Sequence, residues 1–209
     1  MNHDSSDALP SVSVAMLAYN HGPYIRQAIE GVLFQETTFP IELLIGEDHS
    51  TDNTLEIARE YERAHPTIIR IITSEKNVGA MKNLQRLESA CQGKYVAYCE
   101  GDDYWHDRGK LNKQVDFLEQ HSEYTLVHTE FRTLSIGTGH VVPNAARQPH
   151  DLNDDDAYNE LLGGRRIGWT RSGCVRATWL RKLRTECPEC YNPHYLMGDT
   201  QRWLEFAPR

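Results

Sequence analysis

Residues 95–105 read Tyr95-Val96-Ala97-Tyr98-Cys99-Glu100-Gly101-Asp102-Asp103-Tyr104-Trp105. An apolar run of strand length ends here in a cluster of carboxylates. A strand that stops in this way delivers fixed negative charge to the carboxyl edge of a sheet, and in open α/β sheets that edge is where ligands bind. Carboxylates at such an edge suit a hard divalent cation, which in turn neutralises a diphosphate. The competing reading is that Asp102 and Asp103 only begin a loop and cap the next helix.

Upstream of this stretch the chain repeats one pattern. Val12 to Leu17 is an apolar run broken only by Ser13, and a loop, Ala18 to Pro23, follows it. Ile25, Ala28, Ile29, Val32 and Leu33 then recur at helical spacing. Ile41 to Ile45 is a second strand, after which Ser50 to Asn53 offers helix caps before Leu55, Ala58 and Tyr61. Thr67 to Thr73 is a third strand, rich in β-branched residues. Asn77-Val78-Gly79 is a turn, and the following helix turns Met81, Leu84, Leu87 and Cys91 inward, with Gly93 as its terminating glycine. Three strand–helix units feeding the strand at Tyr95 predict an α/β fold: one doubly wound, mostly parallel sheet with helices on both faces.

The chain beyond residue 110 is less regular. Leu111, Val115 and Leu118 mark a further helix, and Tyr124 to Phe131 a further strand. Residues 135–150 have no period and read as a long loop. Asp154 to Asp156 precede Tyr158 and Leu161 as a helix N-terminus. The chain divides into a polar tail (1–10), an α/β half (11–130) and a second half (131–209).

Lys and Arg together number 22 against 30 Asp and Glu, a net charge of −8. This balance excludes non-specific nucleic-acid binding, which depends on basic residues neutralising phosphates. No apolar run approaches the roughly 20 residues that span a bilayer. Residues 1–10 lack the basic and then apolar start of a signal peptide, so a cytoplasmic location is expected. Five cysteines without such a signal argue against a disulfide framework. Cys187 and Cys190 form a CxxC pair, with His194 and Cys174 as the remaining candidates for a zinc set; Cys91 and Cys99 fit core positions.

Three strand ends carry polar groups: Tyr19-Asn20, Glu47-Asp48 and Glu100 to Asp103. In a doubly wound sheet they converge on one crevice, and an aromatic ring, a carboxylate and an acidic edge suit a nucleoside diphosphate. Neither GxGxxG nor GxxxxGK[ST] is present, so dinucleotide and P-loop binding are unsupported.

The segments SVSVAMLAYNHGPYIRQAIEGVLFQ, GEDHSTDNT, EKNVGAMKN and YVAYCEGDDYW, in this order, resemble inverting family 2 glycosyltransferases of the GT-A fold. The resemblance is strong over residues 11–120 and weaker over 165–205. It implies a nucleoside-diphosphate sugar donor of UDP type, Mn2+ or Mg2+, and a saccharide or lipid-linked acceptor, with inversion at the anomeric carbon. By position it implies that Ala18 and Tyr19 border the nucleobase, with Tyr19 stacking on it, and that Asp48 accepts a hydrogen bond from the base. It puts Lys82 and Asn83 on the base or ribose side, Asp102 near ribose and metal, and Asp103 among the metal ligands. Glu100 stands where the family has the first Asp of its DxD motif, and His49 where it often has Gly.

In the second half, Trp169 to Cys174 resembles the segment flanking the acceptor, and Gly198-Asp199 the pair that supplies the catalytic base. An inverting displacement needs such a base on the face opposite the leaving group. Asp199 also fits a helix N-cap before Trp203 and Leu204. Gln201-Arg202-Trp203 differs in spacing from the QxxRW of processive members, so no processivity is expected. Relatives commonly continue beyond the point corresponding to Arg209, which implies a shortened acceptor lobe. Arg165, Arg166, Arg171, Arg176, Arg181, Lys182 and Arg184 gather positive charge, read either as a solvated face or as contact with an anionic acceptor or a membrane surface. Two other functions compete: a GT-A domain that holds a nucleotide sugar without transferring it, and a nucleotidyltransferase, which would show a Gly-rich basic loop after the first strand.

Overall fold

Alternating apolar periods of two and then three to four residues translate directly into the first half of the molecule. In the computed structural model, which describes residues 11–143 and 172–191, β1 (Val12–Ala18), β2 (Ile41–Glu47) and β3 (Ile69–Ile72) alternate with α1 (Ile25–Leu33), α2 (Thr54–Ala64) and α3 (Ala80–Ala90). β4 (Tyr95–Glu100), α4 (Lys110–Gln120), β5 (Leu126–His128), β6 (Arg132–Leu134) and β7 (Val141–Pro143) follow, then β8 (Gly173–Arg176) and α5 (Ala177–Glu186). Among the described residues one six-stranded sheet has the order β3-β2-β1-β4-β8-β5. β1 is parallel to β2 and β4, and β2 to β3, whereas β8 runs antiparallel to both β4 and β5. The sheet is therefore mostly parallel.

Successive strand residues point to opposite faces, and the core divides accordingly. Val12, Val14 and Met16 of β1, with Leu43, Ala97 and Cys99, pack beneath α1, α2 and α4. Ala15, Leu44, Val96 and Tyr98 pack on the other face against Leu84 and Leu87 of α3 and Leu180 of α5. Each fully buried Leu or Ile contributes roughly 1.5–3 kcal/mol. The helices cover both faces, as the sequence predicts.

Three details differ from the sequence reading. β3 and β5 are shorter than the apolar runs containing them. Among the described residues β3 and β5 are the edge strands: Ile71 N–H of β3 donates to Glu62 of α2 at 2.8 Å, and β5 pairs only with the four-residue β8. Part of the expected loop at 135–150 is instead the far strand of a β6–β7 hairpin. Gly93 does not terminate α3, which ends at Ala90. Its N–H donates to Ser13 Oγ at 2.8 Å, and a Cβ at position 93 would lie 2.6 Å from the Ser13 nitrogen. Close approach to β1, not helix capping, requires glycine there.

β8 is anchored by Arg176, whose guanidinium donates to the carbonyls of Leu118 and His121 at the end of α4 and of Tyr124 beyond it. A cation at a helix C-terminus is favoured by the macrodipole. Arg176 is thereby engaged inside the fold.

Candidate active site

The registers set the site. Ala18 pairs with Glu47 and Leu17 with Glu100, so β1, β2 and β4 end level. Asp48 N–H donates to Ala18 O (3.0 Å) and Gly101 N–H to Leu17 O (2.8 Å), which carries the alignment one residue beyond each neighbouring strand. The Tyr19, Asp48 and Asp102 positions thus stand along one sheet edge.

The β1–β2 side of this edge is tied by side chains accepting from backbone. Asn20 and His49 hold positive φ angles of 56° and 60°, which Asn and His tolerate better than most residues. Asn20 Oδ1 accepts from Thr51 N–H (2.8 Å), and Asn20 N–H donates to Ser50 Oγ (3.0 Å). Asp52 accepts from Gly22 and Thr54 N–H, both at 2.9 Å, and from the Thr54 hydroxyl; against desolvation, the hydroxyl foremost and these N–H groups lower its pKa. The buried Glu47 accepts from Ser50 N–H at 2.6 Å. Asp48, also buried, accepts from Val78 and Gly79 N–H (both 2.9 Å) and from Ser74 Oγ (3.2 Å), with Arg86 Nη2 3.8 Å away. Asp48 therefore holds the segment that leads into α3. Three donors leave one of its four lone-pair sites, on Oδ2, for a further donor.

Ala18 is buried and Tyr19 is 43% exposed. Lys82 is exposed on the first turn of α3. Asn83 is buried and bridges α3 to β2, donating to Gly46 O (2.7 Å) and accepting from Arg86 (2.8 Å).

The β4 side is different. Glu100, Asp102 and Asp103 each offer a carboxylate oxygen, and these oxygens lie within 4.8 Å of one another. Asp102 is exposed, and His21 Nε2 is 4.0 Å from its Oδ2. Gly101 permits this: a Cβ there would stand 2.7 Å from His21 Nδ1. The capping alternative for Asp102 and Asp103 fails, because α4 begins only at Lys110.

Beside this cluster opens a cavity of about 650 Å³. Asp102 and Asp103 stand at one side, Thr129 and Ser172 line it, and Leu134 and Ile136 of the β6–β7 hairpin form an apolar wall. Trp105 and Lys110, both buried, also line it. Lys110 Nζ lies 4.0 Å from the Trp105 ring centroid and donates to Gln114 Oε1 (2.7 Å). Gln114 in turn donates to Ser172 O (2.9 Å). Burial pulls the Lys110 pKa down to about 8. Sequence reasoning missed Lys110 and Gln114, although both interrupt the apolar stripe of α4 that Leu111, Val115 and Leu118 define. Polar residues on a core-facing stripe were the available signal.

Asp199 lies outside the described residues, as do His194, Trp169, Arg165, Arg166 and Arg171. Of the remaining basic residues, Lys182 pairs with Glu186 and Arg184 donates to Ser89. The zinc set fails at Cys174. It packs on the α1–α4 face of the sheet, whereas Cys187 and Cys190 pack with Leu183 and Met81 on the opposite side. No helix among the described residues is long and apolar enough to cross a membrane.

A family model described as glycosyl transferase family 2 matches residues 13–182. The chain belongs to this family. A relative in Mycobacterium tuberculosis, an uncharacterized protein, is 42% identical over 123 residues, covering 59% of this chain and 36% of the relative. The chain thus spans little more than a third of that relative's length. Among solved structures, Staphylococcus aureus TarS (residues 1–349) superposes with a TM-score of 0.68 at 20% identity, over 94% of this chain and 55% of that 1–349 chain. The mannosyltransferase PcManGT from Pyrobaculum calidifontis, in complex with GDP-Man and Mn2+, superposes with a TM-score of 0.61 at 19% identity, over 85% and 48% of the two chains. These likenesses place the family 2 chain in the GT-A fold.

Proposed function

We propose that this protein transfers a sugar from a nucleoside-diphosphate sugar to a hydroxyl of a saccharide or lipid-linked acceptor, with inversion. The observation that carries this reading is the level ending of β1, β2 and β4, which sets the carboxylates of Glu100, Asp102 and Asp103 beside the cavity. TarS has been solved with UDP-GlcNAc and the Pyrobaculum enzyme with GDP-Man and Mn2+, which supports a nucleotide-sugar donor.

The donor set of the cluster is all carboxylate, without sulfur or imidazole, and so fits Mn2+ or Mg2+. Asp102 and Asp103 would hold the ion, with Glu100 beside them; when bound, it offsets the charge of a diphosphate leaving group. Tyr19 offers its ring to the base, and Asp48 its remaining lone pair to a base N–H. Ala18 borders the base, Lys82 places positive charge on the ribose side, and Asn83 fixes α3 against β2 beneath them. Asp199 takes the proton of the acceptor hydroxyl as that oxygen attacks the anomeric carbon.

Thermal unfolding with UDP, GDP, dTDP and CDP, each with Mn2+ or with EDTA, tests the donor reading. One diphosphate should raise Tm with Mn2+ and lose that effect in EDTA. Equal shifts in EDTA, or none with any nucleotide, would remove the proposed site.

A further inference from the structure

The cavity beside the acidic cluster holds two buried donors whose bonding is incomplete. Lys110 is 6% exposed and Trp105 9%. Trp105 Nε1 is buried with no hydrogen-bond partner among the described residues. Lys110 Nζ has three N–H groups; Gln114 Oε1 accepts one, and the Trp105 ring faces the ammonium at 4.0 Å. No described carboxylate stands within salt-bridge distance of Nζ. An ammonium taken out of water without a counter-ion is costly, and an unpartnered buried indole N–H adds to that cost. Burial is also what holds the Lys110 pKa down, to about 8.

Of the other charges on the cavity, Asp107 attracts the ammonium but from beyond salt-bridge distance. Asp107 is paired with Lys113 at 2.7 Å, Glu130 is exposed, and Asp102 and Asp103 belong to the proposed cation site. Tyr19 and Asp48, the base side of the edge, do not line the cavity. Its far walls come from β6, the hairpin turn and Ser172. The cavity therefore extends from the acidic cluster away from the base.

We propose that Lys110 Nζ and Trp105 Nε1 form an anion-binding subsite that takes a carboxylate or phosphate group carried by the sugar acceptor. This rests on the glycosyl-transfer reading above. An oxyanion bound beside the Trp105 ring would take an N–H from each residue, and charge-assisted hydrogen bonds of this kind are the stronger class. The subsite selects anionic over neutral acceptors while leaving the donor to the β1–β2 side.

The indole N–H of Trp105 is its own reporter. The chain has four tryptophans, so Trp105→Phe assigns the Trp105 signal in a 1H–15N spectrum of the whole chain. Glucuronate and glucose 1-phosphate are titrated, with glucose as the neutral control, in the presence of Mg2+. One or both anionic sugars should move this signal saturably while glucose does not, and which of them acts distinguishes carboxylate from phosphate. Lys110→Met should weaken that binding at least tenfold, and Lys110→Arg should retain most of it. The dispersion of the same spectrum shows that each variant is folded. Equal response to glucose, unchanged affinity in Lys110→Met, or no response to either anion overturns the subsite. UDP moving the signal and excluding both sugars also overturns it, because the diphosphate would then be the occupant. Anionic sugars binding where no nucleotide binds would leave the subsite standing and remove the donor reading.

Discussion

Asp48 and Asp102 stand one residue past β2 and two past β4, on the same edge, and their surroundings are opposite. Asp48 is buried and accepts three protein hydrogen bonds. Asp102 is exposed, with the His21 ring 4.0 Å away and the carboxylates of Glu100 and Asp103 beside it. On the β1–β2 side the acidic and amide groups are engaged in shaping loops: Glu47 closes its own turn, and Asn20 and Asp52 tie one loop to the next. On the β4 side carboxylates gather and a lysine is buried nearby without a carboxylate partner. A polar group satisfied by its own backbone frames a site. A buried ammonium without a carboxylate partner among the described residues is held for something else.

The largest break with this division would come at Asp199. In a form of the protein that transfers sugar, Asp199→Asn should lower the rate by about 10²–10⁴, the range of general-base contributions. Donor affinity should stay nearly intact. Initial rates beside donor binding for the same variant decide the point; joint loss of both would move Asp199 into the nucleotide site.

Stability separates the two aspartates next. Asp48→Ala leaves Val78 N–H, Gly79 N–H and Ser74 without their acceptor, at about 1–3 kcal/mol for a buried group left unsatisfied. A loss of at least about 2 kcal/mol in denaturant unfolding is expected for it, whereas Asp102→Ala should stay within about 0.5 kcal/mol. Similar losses in both variants would erase the contrast.

Lys110 offers a pH test. Its pKa falls from 10.5 to about 8 on folding. Below about pH 8 the folded protein carries the burial penalty; between there and about pH 10.5 the unfolded chain binds more protons, so stability rises with pH relative to a variant lacking the amine. At about 1.4 kcal/mol per unit the penalty totals about 3 kcal/mol. Of the groups facing the ammonium, Cys99 and Cys174 are pushed above this window by burial and Asp107 titrates below it, so none changes charge across it in the folded protein. The stability of Lys110→Met minus that of the natural protein should therefore shrink as pH rises across this window. A difference independent of pH would show that the lysine is neutral or compensated in the fold.

Smaller effects follow on ligand binding. Asp102→Asn and Asp103→Asn should each weaken Mn2+-dependent nucleotide binding about tenfold, since each removes one anionic oxygen donor from a hard cation. Calorimetry with and without EDTA measures this, and full affinity in both variants would discard the cluster as the cation site. Tyr19→Ala should cost about 1 kcal/mol or somewhat more, the lower end of base–aromatic stacking. An unchanged affinity would place the base elsewhere.

The strand–helix alternation over residues 11–120 was legible from apolar periodicity, because a strand buried on both faces and an amphipathic helix leave distinct spacings. The acidic end of β4 was legible for a related reason: its carboxylates follow an apolar strand without a break. The roles of Asp48 and Asn83 were less so. Each residue's type suits a ligand contact, but Ser74, Val78 and Gly79 are 26 to 31 positions from Asp48, and nothing local announces that pairing. The CxxC pair is weak for the same reason: its spacing is local, while Cys174, the candidate fourth ligand, lies on the other face of the sheet.

By itself, then, the sequence determined the elements, their order, the parallel character of the first four strands and the chemistry carried at their ends. These follow from interactions within a few residues and from the need to bury alternating apolar positions. Only the tertiary structure decided that β8 enters antiparallel between β4 and β5, that Arg176 caps α4 from 55 or more positions away, and that Lys110 and Trp105 meet at a cavity walled by the β6–β7 hairpin. Those outcomes depend on which distant surfaces exclude water together, and burial of that kind leaves no periodic trace along the chain.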